Sequence, residues 1–269
     1  MLAAIVSIIS IGLSLLTYWG VGLFNQSYWF LFLLIAFFLA YAIIILNIYW
    51  IVIIATSSRY KGDKEHYRVN RFFLYNVRLI LSFVLALRNI HLKKINYHSP
   101  KEPSLVLFNH ITDYDPWALY RLTKGRYTFV GKASLRKVSV IGALSTAIGT
   151  LYVDRKDHES SYKMVDEAVK YITEKKTSVF IAPEGTRSFT GEIHPFKHGG
   201  FNIATRSHCP IILVGFKGME KAINKPMFKR CKVTVEIFKT IQYEEYKDMT
   251  AGELAEYCEK EYKKYLGQL

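Results

Sequence analysis

Apolar residues run from Met1 to Ser58 without a single Asp, Glu, Lys or Arg, and the first charged side chain is Arg59. A membrane-spanning helix needs about 20 mainly apolar residues. The pattern predicts two such helices, Leu2 to Phe24 and Tyr28 to Ala55, joined by the polar turn Asn25, Gln26 and Ser27. The second run exceeds a span, so it is expected to tilt or to end in the interface. Tyr18, Trp19, Tyr28, Trp29, Tyr49 and Trp50 fall near the helix ends, where aromatic rings settle at the bilayer–water boundary. Two readings compete with this hairpin. One is a signal peptide followed by a single anchor, but no positive stretch precedes the first run. The other has one run lying only in the interface.

Beyond Arg59 the pattern changes. Residues 71–90, RFFLYNVRLILSFVLALRNI, are apolar but carry Arg71, Arg78 and Arg88 at spacings that suit one helix face. The segment reads equally as a core helix or as a surface helix with its arginines at lipid phosphates. From residue 90 short apolar runs alternate with helical patterns. Strands are predicted at NIHLKKINY, SLVLF (104–108), YTFV (127–130), TLYV (150–153), SVFIA (178–182), IILVGF (211–216) and KVTVEIF (232–238). Met164, Val165, Ala168, Val169 and Ile172 recur at helical spacing, and the C-terminal KDMTAGELAEYCEKEYKKYL is amphipathic. The expected architecture is α/β: a mixed, largely parallel sheet flanked by helices, preceded by an N-terminal transmembrane helical hairpin. The boundaries follow as a membrane hairpin over 1–58, a basic juxtamembrane segment and interfacial or core helix over 59–89, and the α/β domain over 90–269.

Charge sharpens this picture. The net charge is +14 and belongs wholly to the part after residue 58. Arg59, Lys61, Lys64, Arg68 and Arg71 outnumber Asp63 and Glu65 beside the last apolar run, and such flanks stay cytoplasmic. The expectation is a multi-pass protein of the cell membrane with its α/β domain in the cytoplasm. The basic domain suits an anionic leaflet. Nucleic acid would suit the charge too, but no binding motif for it is present. Three cysteines without a C-x-x-C spacing suggest no disulfide framework.

In α/β sheets, sites gather outside the carboxyl ends of strands. Four strand ends here carry chemistry. After SLVLF comes NHITDYDP (109–116), where Asp115-Pro116 looks like a helix start with Asp115 as N-cap. The same loop is short enough to fold Asp115 back onto one imidazole nitrogen of His110, freeing the other as a base, and Asp113 competes for that place. After SVFIA comes PEGTRS (183–188), where Gly185 permits close backbone approach, Thr186 and Ser188 offer hydroxyls, and Arg187 offers a planar fork for a phosphate. Lys132 and Arg155 follow two further strands. Together the four ends suggest a cationic pocket holding one base. A metal set of His110, Asp113, Asp115, His194 and His198 is conceivable, but Pro195 and Gly199-Gly200 work against the helix that His194 and His198 would need.

These residues, in this order and spacing, resemble the 1-acylglycerol-3-phosphate O-acyltransferase (lysophosphatidate acyltransferase) family across residues 90–240. NHITDYD matches its NHx4D motif, GTLYVDR its second motif, APEGTRS its third and CPIILVGF its fourth. GKASLRKVSVIGAL looks like its lysine-containing segment, and HPFKHGGFNIA its Phe-Lys-x-Gly run. Ala182 and Ser139 depart from the aromatic and the proline that are usual there. The resemblance implies His110 as general base, Asp115 as its orienting carboxylate, and a substrate-binding set of Asn109, Lys132, Arg155, Glu184, Gly185, Thr186 and Arg187, with Arg187 on the acceptor's phosphate. It implies backbone N–H groups of the PEGTR turn around a developing oxyanion. It also implies an acyl-ACP or acyl-CoA donor, lysophosphatidate in the bilayer as acceptor, phosphatidate as product, and neither cofactor nor metal. The same chemistry on glycerol-3-phosphate or another lysophospholipid is the near alternative. A non-catalytic protein that binds anionic lipid is the more distant one.

Overall fold

The structure is a computed structural model and describes residues 2–20, 29–58, 71–138, 141–142, 145–146, 148–223, 225–226 and 229–269. The polar turn at Asn25 to Ser27, the basic flank from Arg59 to Arg68, and Ser139 lie outside the described residues. The chain divides into two compact units, Met1–Gly62 and Asp63–Leu269.

In the first unit, helix α1 (Leu2–Gly20) packs against α2 (Trp29–Ser58). Thr17 Oγ1 and Tyr41 Oη join them at 2.7 Å. Ser14 is buried and turns its hydroxyl back to Ser10 O at 2.6 Å, the usual way for a serine to satisfy itself inside a helix. Ile35, Leu39, Ile43, Ile44, Ile48 and Ile51 of α2 are exposed, as are Ile8, Leu16 and Trp19 of α1. Among the described residues no helix is long and apolar enough to cross a membrane. Helix α2 as a whole is 30 residues without a charge.

The second unit holds one seven-stranded sheet in the order β1-β7-β6-β2-β5-β3-β4. The strands are β1 (Ile90–Ile95), β2 (Leu105–Phe108), β3 (Tyr127–Lys132), β4 (Leu151–Val153), β5 (Ser178–Ile181), β6 (Ile211–Lys217) and β7 (Cys231–Ile241). The five from β6 to β4 run parallel, while β7 is antiparallel to β6 and β1 follows β7. All seven predicted strands are present, and the sheet is mixed and largely parallel. Strands β2 and β5 at the centre are buried at every position, as a sheet covered on both faces requires. Helix α5 (His158–Thr173) covers one region with Met164, Val165, Ala168, Tyr171 and Ile172, its first turn capped by the Asp157 carboxylate. Helix α6 is the short segment Asn202–Ser207, which the sequence pattern does not reveal. The C-terminal α7 (Ala251–Leu266) starts with a reciprocal Thr250–Glu253 capping box and buries Leu254, Ala255, Cys258 and Tyr262. All three cysteines are free and buried.

Helix α3 (Arg71–Leu87) settles one open reading. It packs on β1 and on α4 (Tyr114–Leu122), burying Leu74, Val77 and Leu85. Arg78 does not face lipid phosphates. Its guanidinium donates to Tyr120 O at 3.1 Å and to Thr123 O, closing the carbonyl end of α4, and reaches Tyr127 Oη at 3.2 Å. Arg88 likewise donates to Ala222 O at 2.9 Å. Carbonyls at a helix end carry partial negative charge, so an arginine is well placed there. The opposite face of α3 leaves Tyr75, Phe83 and Leu87 exposed.

Gly215 in β6 is set by contact. A Cβ there would lie 2.1 Å from Tyr265 Cε1, whose ring stacks on Phe238 at 4.2 Å and receives the Lys217 ammonium on its face at 3.7 Å. Gly215→Ala should therefore lower unfolding stability by about 1–3 kcal/mol, as overpacked sites do, read by urea denaturation.

Candidate active site

Strand β2 ends at Phe108 and delivers Asn109 and His110 to the carboxyl edge of the sheet. Asn109 is 1% exposed and its amide closes a two-way pair with Phe216 of β6, donating to Phe216 O at 3.1 Å and accepting from Phe216 N at 2.7 Å. Glu184, which follows β5, is 2% exposed and grips from the other side. Its Oε1 accepts from His110 N at 2.8 Å and its Oε2 from His194 N at 3.1 Å. Burial raises the Glu184 carboxyl above the ordinary range, and these two N–H donors pull it back. Asn109 and Glu184, expected to contact substrate, thus spend their polar atoms on backbone. They position His110 between two neighbouring strands.

Asp115 is fully buried. It is not the N-cap of α4: Asp113 holds that position, without a side-chain capping bond, and Thr112 Oγ1 takes the Tyr114 N–H at 3.0 Å instead. Asp115 sits inside the first turn because its Oδ2 collects Ile111 N at 2.6 Å, Thr112 N at 2.7 Å and His110 Nδ1 at 3.2 Å. Burial raises this carboxyl, while His110 and the two N–H groups lower it. With Nδ1–H donating to the carboxylate, Nε2 carries the free lone pair of the imidazole. The His110 side chain keeps 16% exposure, and its ring meets Phe108 edge-on at 5.9 Å.

Asp113 does not compete for His110. It pairs with Arg187 Nη1 at 2.5 Å, while the Arg187 guanidinium lies 4.9 Å over the Phe189 ring. Arg187 and Thr186 are exposed, and the PEGTR turn closes onto the His110 loop through Ser188 N to His110 O at 2.8 Å and Phe189 N to Ile111 O at 3.2 Å. That bond uses the Ser188 N–H, and Gly185 N is likewise spent on Ala182 O at 3.1 Å, so neither is left for an oxyanion. Gly185 is favoured by its φ of +68°, and a Cβ there would stand 3.0 Å from Cδ and Cε of the flexible Lys197 side chain. Lys197 therefore lies across this turn, with its own N–H on Pro183 O at 2.9 Å. The Phe-Lys-x-Gly run signalled this lysine but gave it no place. Lys132 closes β3, and Arg155 stands two residues beyond β4. Both are exposed on the same sheet edge, with no hydrogen bond to the His110 loop among the described residues. His194 and His198 lie on the segment held by Glu184, and among the described residues no three His, Cys, Asp or Glu gather as a metal site.

A buried carboxylate orienting one imidazole, with an exposed arginine joined to the same loop, is an arrangement able to move a proton near a bound anion. Residues 89–217 also match the acyltransferase family model. This stretch is an acyltransferase domain. The chain is 27% identical to the 1-acyl-sn-glycerol-3-phosphate acyltransferase of Haemophilus influenzae, over 65% of this chain and 75% of that protein. It is 28% identical to the Saccharomyces cerevisiae protein of the same name, over 60% of this chain and 53% of that one. With the human alpha form the identity is 24%, over 55% and 50%. The alignments thus span only about half the length of the yeast and human relatives. The acyltransferase fold is shared with the crystal structure of the 1-acyl-sn-glycerophosphate acyltransferase PlsC from Thermotoga maritima, at a TM-score of 0.59 and 18% identity over 83% of this chain and 96% of that one.

Removing the Asn109 amide would leave the buried N–H and C=O of Phe216 without that partner. Asn109→Ala should lower the stability of the acyltransferase domain by about 1–3 kcal/mol, measured by chemical denaturation.

Proposed function

We propose that this acyltransferase moves a fatty acyl group from an acyl thioester to the free sn-2 hydroxyl of 1-acylglycerol-3-phosphate, giving phosphatidate and a free thiol. The observation that carries the proposal is the His110–Asp115 pair: a buried carboxylate held by two N–H groups fixes one imidazole and leaves its Nε2 free, on a loop that Arg187 joins through Asp113. The names of the relatives supply the substrate class. In the proposed reaction Nε2 takes the hydroxyl proton, the oxygen attacks the thioester carbonyl, the C–S bond breaks, and the leaving sulfur takes the proton back as thiol. No acyl-enzyme forms. Arg187 would exchange Asp113 for the acceptor's phosphate, a switch between two anions for which its planar fork is suited. Lys132 and Arg155 would add charge from the ends of β3 and β4.

The acceptor is a lipid, and the first unit supports a membrane setting. Helix α2 is 30 residues without a charge, about 45 Å at 1.5 Å per residue, against a hydrocarbon core of about 30 Å. Large apolar side chains stand exposed along it, and water would penalise them where lipid would not. The hairpin would then anchor the chain to the cell membrane, and the basic flank beyond residue 58 would keep the catalytic domain on the cytoplasmic side.

The test follows thiol release from a long-chain acyl thioester by the full chain in mixed micelles. Release should depend on lysophosphatidate, and His110→Ala should lower it by about 10²–10⁴-fold, the usual worth of a general base, with the circular dichroism spectrum unchanged. Release that depends instead on glycerol-3-phosphate or another lysophospholipid would move the substrate. Release that survives in His110→Ala would remove the proposed base.

A further inference from the structure

The acyltransferase match ends at Lys217, the last residue of β6. The sixteen residues from Lys217 to Lys232 then hold six cations and a single acid, Glu220. Five of those cations, Lys221, Lys225, Lys229, Arg230 and Lys232, line one cavity of about 270 Å³ with Cys231. The sixth, Lys217, turns away and lies over the Tyr265 ring. Glu220 faces Gly191, where a Cβ would stand 3.7 Å from its Oε2. Among the described residues, none of the five has a carboxylate within ion-pair distance. Like charges held together without a partner weaken a fold, so such a cavity calls for an anion from outside.

The cavity is built. Lys225 Nζ donates to Arg88 O and, at 2.6 Å, to Lys229 O, tying the hairpin to the end of α3 and to itself. Arg88 donates to Ala222 O at 2.9 Å and reaches the Tyr114 ring, beside the His110 loop, at 5.9 Å. Its place relative to His110 follows from topology. Strand β2 carries His110 and has β5 on one side and β6 on the other, all three parallel. The PEGTR turn leaves the carboxyl end of β5. The basic hairpin leaves the carboxyl end of β6, and Asn109 holds Phe216 of β6 in register with His110. The strand that carries the imidazole thus has on one side β5, which leads to Arg187, and on the other β6, which leads to the five-cation cavity.

Resting on the proposed function, we infer that the cavity after β6 receives the phosphate groups of the acyl donor's pantetheine carrier. Direct transfer brings together two substrates that both carry phosphate, and the turn after β5 accounts for only one of them. Coenzyme A and the prosthetic arm of an acyl carrier protein share a phosphate on the pantetheine, and that phosphate is the recognised group. Binding it at the β6 end would set the thioester at the end of the arm across the edge toward His110.

The test compares wild type with the triple variant Lys229→Gln, Arg230→Gln, Lys232→Gln, whose side chains are exposed and make no hydrogen bond to backbone among the described residues. Donors are acyl-coenzyme A, acyl carrier protein and acyl-N-acetylcysteamine, a thioester without phosphate. The KM for the phosphate-bearing donor should rise about tenfold or more, since several charge-assisted hydrogen bonds are lost, while the KM for lysophosphatidate stays put. The gap between wild type and variant should close with acyl-N-acetylcysteamine, and Lys229→Arg, Lys232→Arg should keep the wild-type donor KM. A rise with both phosphate-bearing donors identifies the shared phosphate, and a larger rise with coenzyme A adds its nucleotide phosphates. Calorimetric binding of the free carrier, without acceptor, should weaken in the triple variant. That readout separates this inference from the acceptor's identity: wild type that binds carrier but ignores lysophosphatidate would overturn only the proposed substrate. Unchanged donor KM and carrier binding would overturn the inference. So would a rise confined to the carrier protein, which would place the contact on that protein's acidic surface. Unchanged donor KM with lost binding to anionic vesicles would assign the cavity to the lipid surface instead.

Discussion

A carboxylate with no exposure at all sits at the carboxyl end of a central strand, and the candidate site is organised around keeping it satisfied. Taking an unpaired carboxylate out of water costs several kcal/mol. Asp115 avoids this by drawing Ile111 N, Thr112 N and His110 Nδ1 onto one oxygen. Those three bonds fold residues 110–115 into a tight turn, begin α4 one residue ahead of the carboxylate, and settle which imidazole nitrogen faces outward. Packing of the protein's own backbone and orientation of the His110 imidazole are one interaction here.

Two further buried polar side chains hold that turn in the sheet. Glu184 reaches it from β5 and Asn109 locks it to β6. His110 is therefore referenced to three parallel strands at once, the kind of positioning the proposed base would need. Each polar atom of these two side chains holds a backbone group. The residues free to meet a ligand are those left exposed on the same edge: Arg187, Thr186, Lys132, Arg155, and the lysines after β6.

The arginines illustrate how context sorts identical side chains. Arg78 and Arg88 lie on or beside an apolar helix with exposed Tyr75, Phe83 and Leu87, and from the sequence they suit a lipid surface. Both are instead spent on main-chain carbonyls of neighbouring elements. Arg187 stays half exposed and is held by the Asp113 carboxylate. The difference lies in what each guanidinium finds within reach, and periodicity carries no trace of it.

The sequence by itself determined the elements and the chemistry-bearing positions. The central strands were legible because a strand buried on both faces must be an apolar run, β7 because its buried and outward positions alternate, and the NHITDYD and PEGTRS stretches stood out because polar residues at strand ends have no packing reason to cluster. The order of the strands, and the reversal of β7 and β1 against the rest, came only from tertiary structure, since strand pairing joins residues far apart in the chain through a backbone common to every residue type. The same holds for the division of labour in the site. Asp113 and Asp115 are two residues apart in one loop, yet one pairs with Arg187, 74 residues on, and the other with His110. Glu184 and Asn109 read as ligand contacts, and the structure gives both a second task as ties from the His110 loop to neighbouring backbone. Lys197 gained a place only through its packing over Gly185. Sequence pattern reports which side chains must leave water. Which partner a buried polar atom finds there depends on distances that exist only once the sheet has assembled.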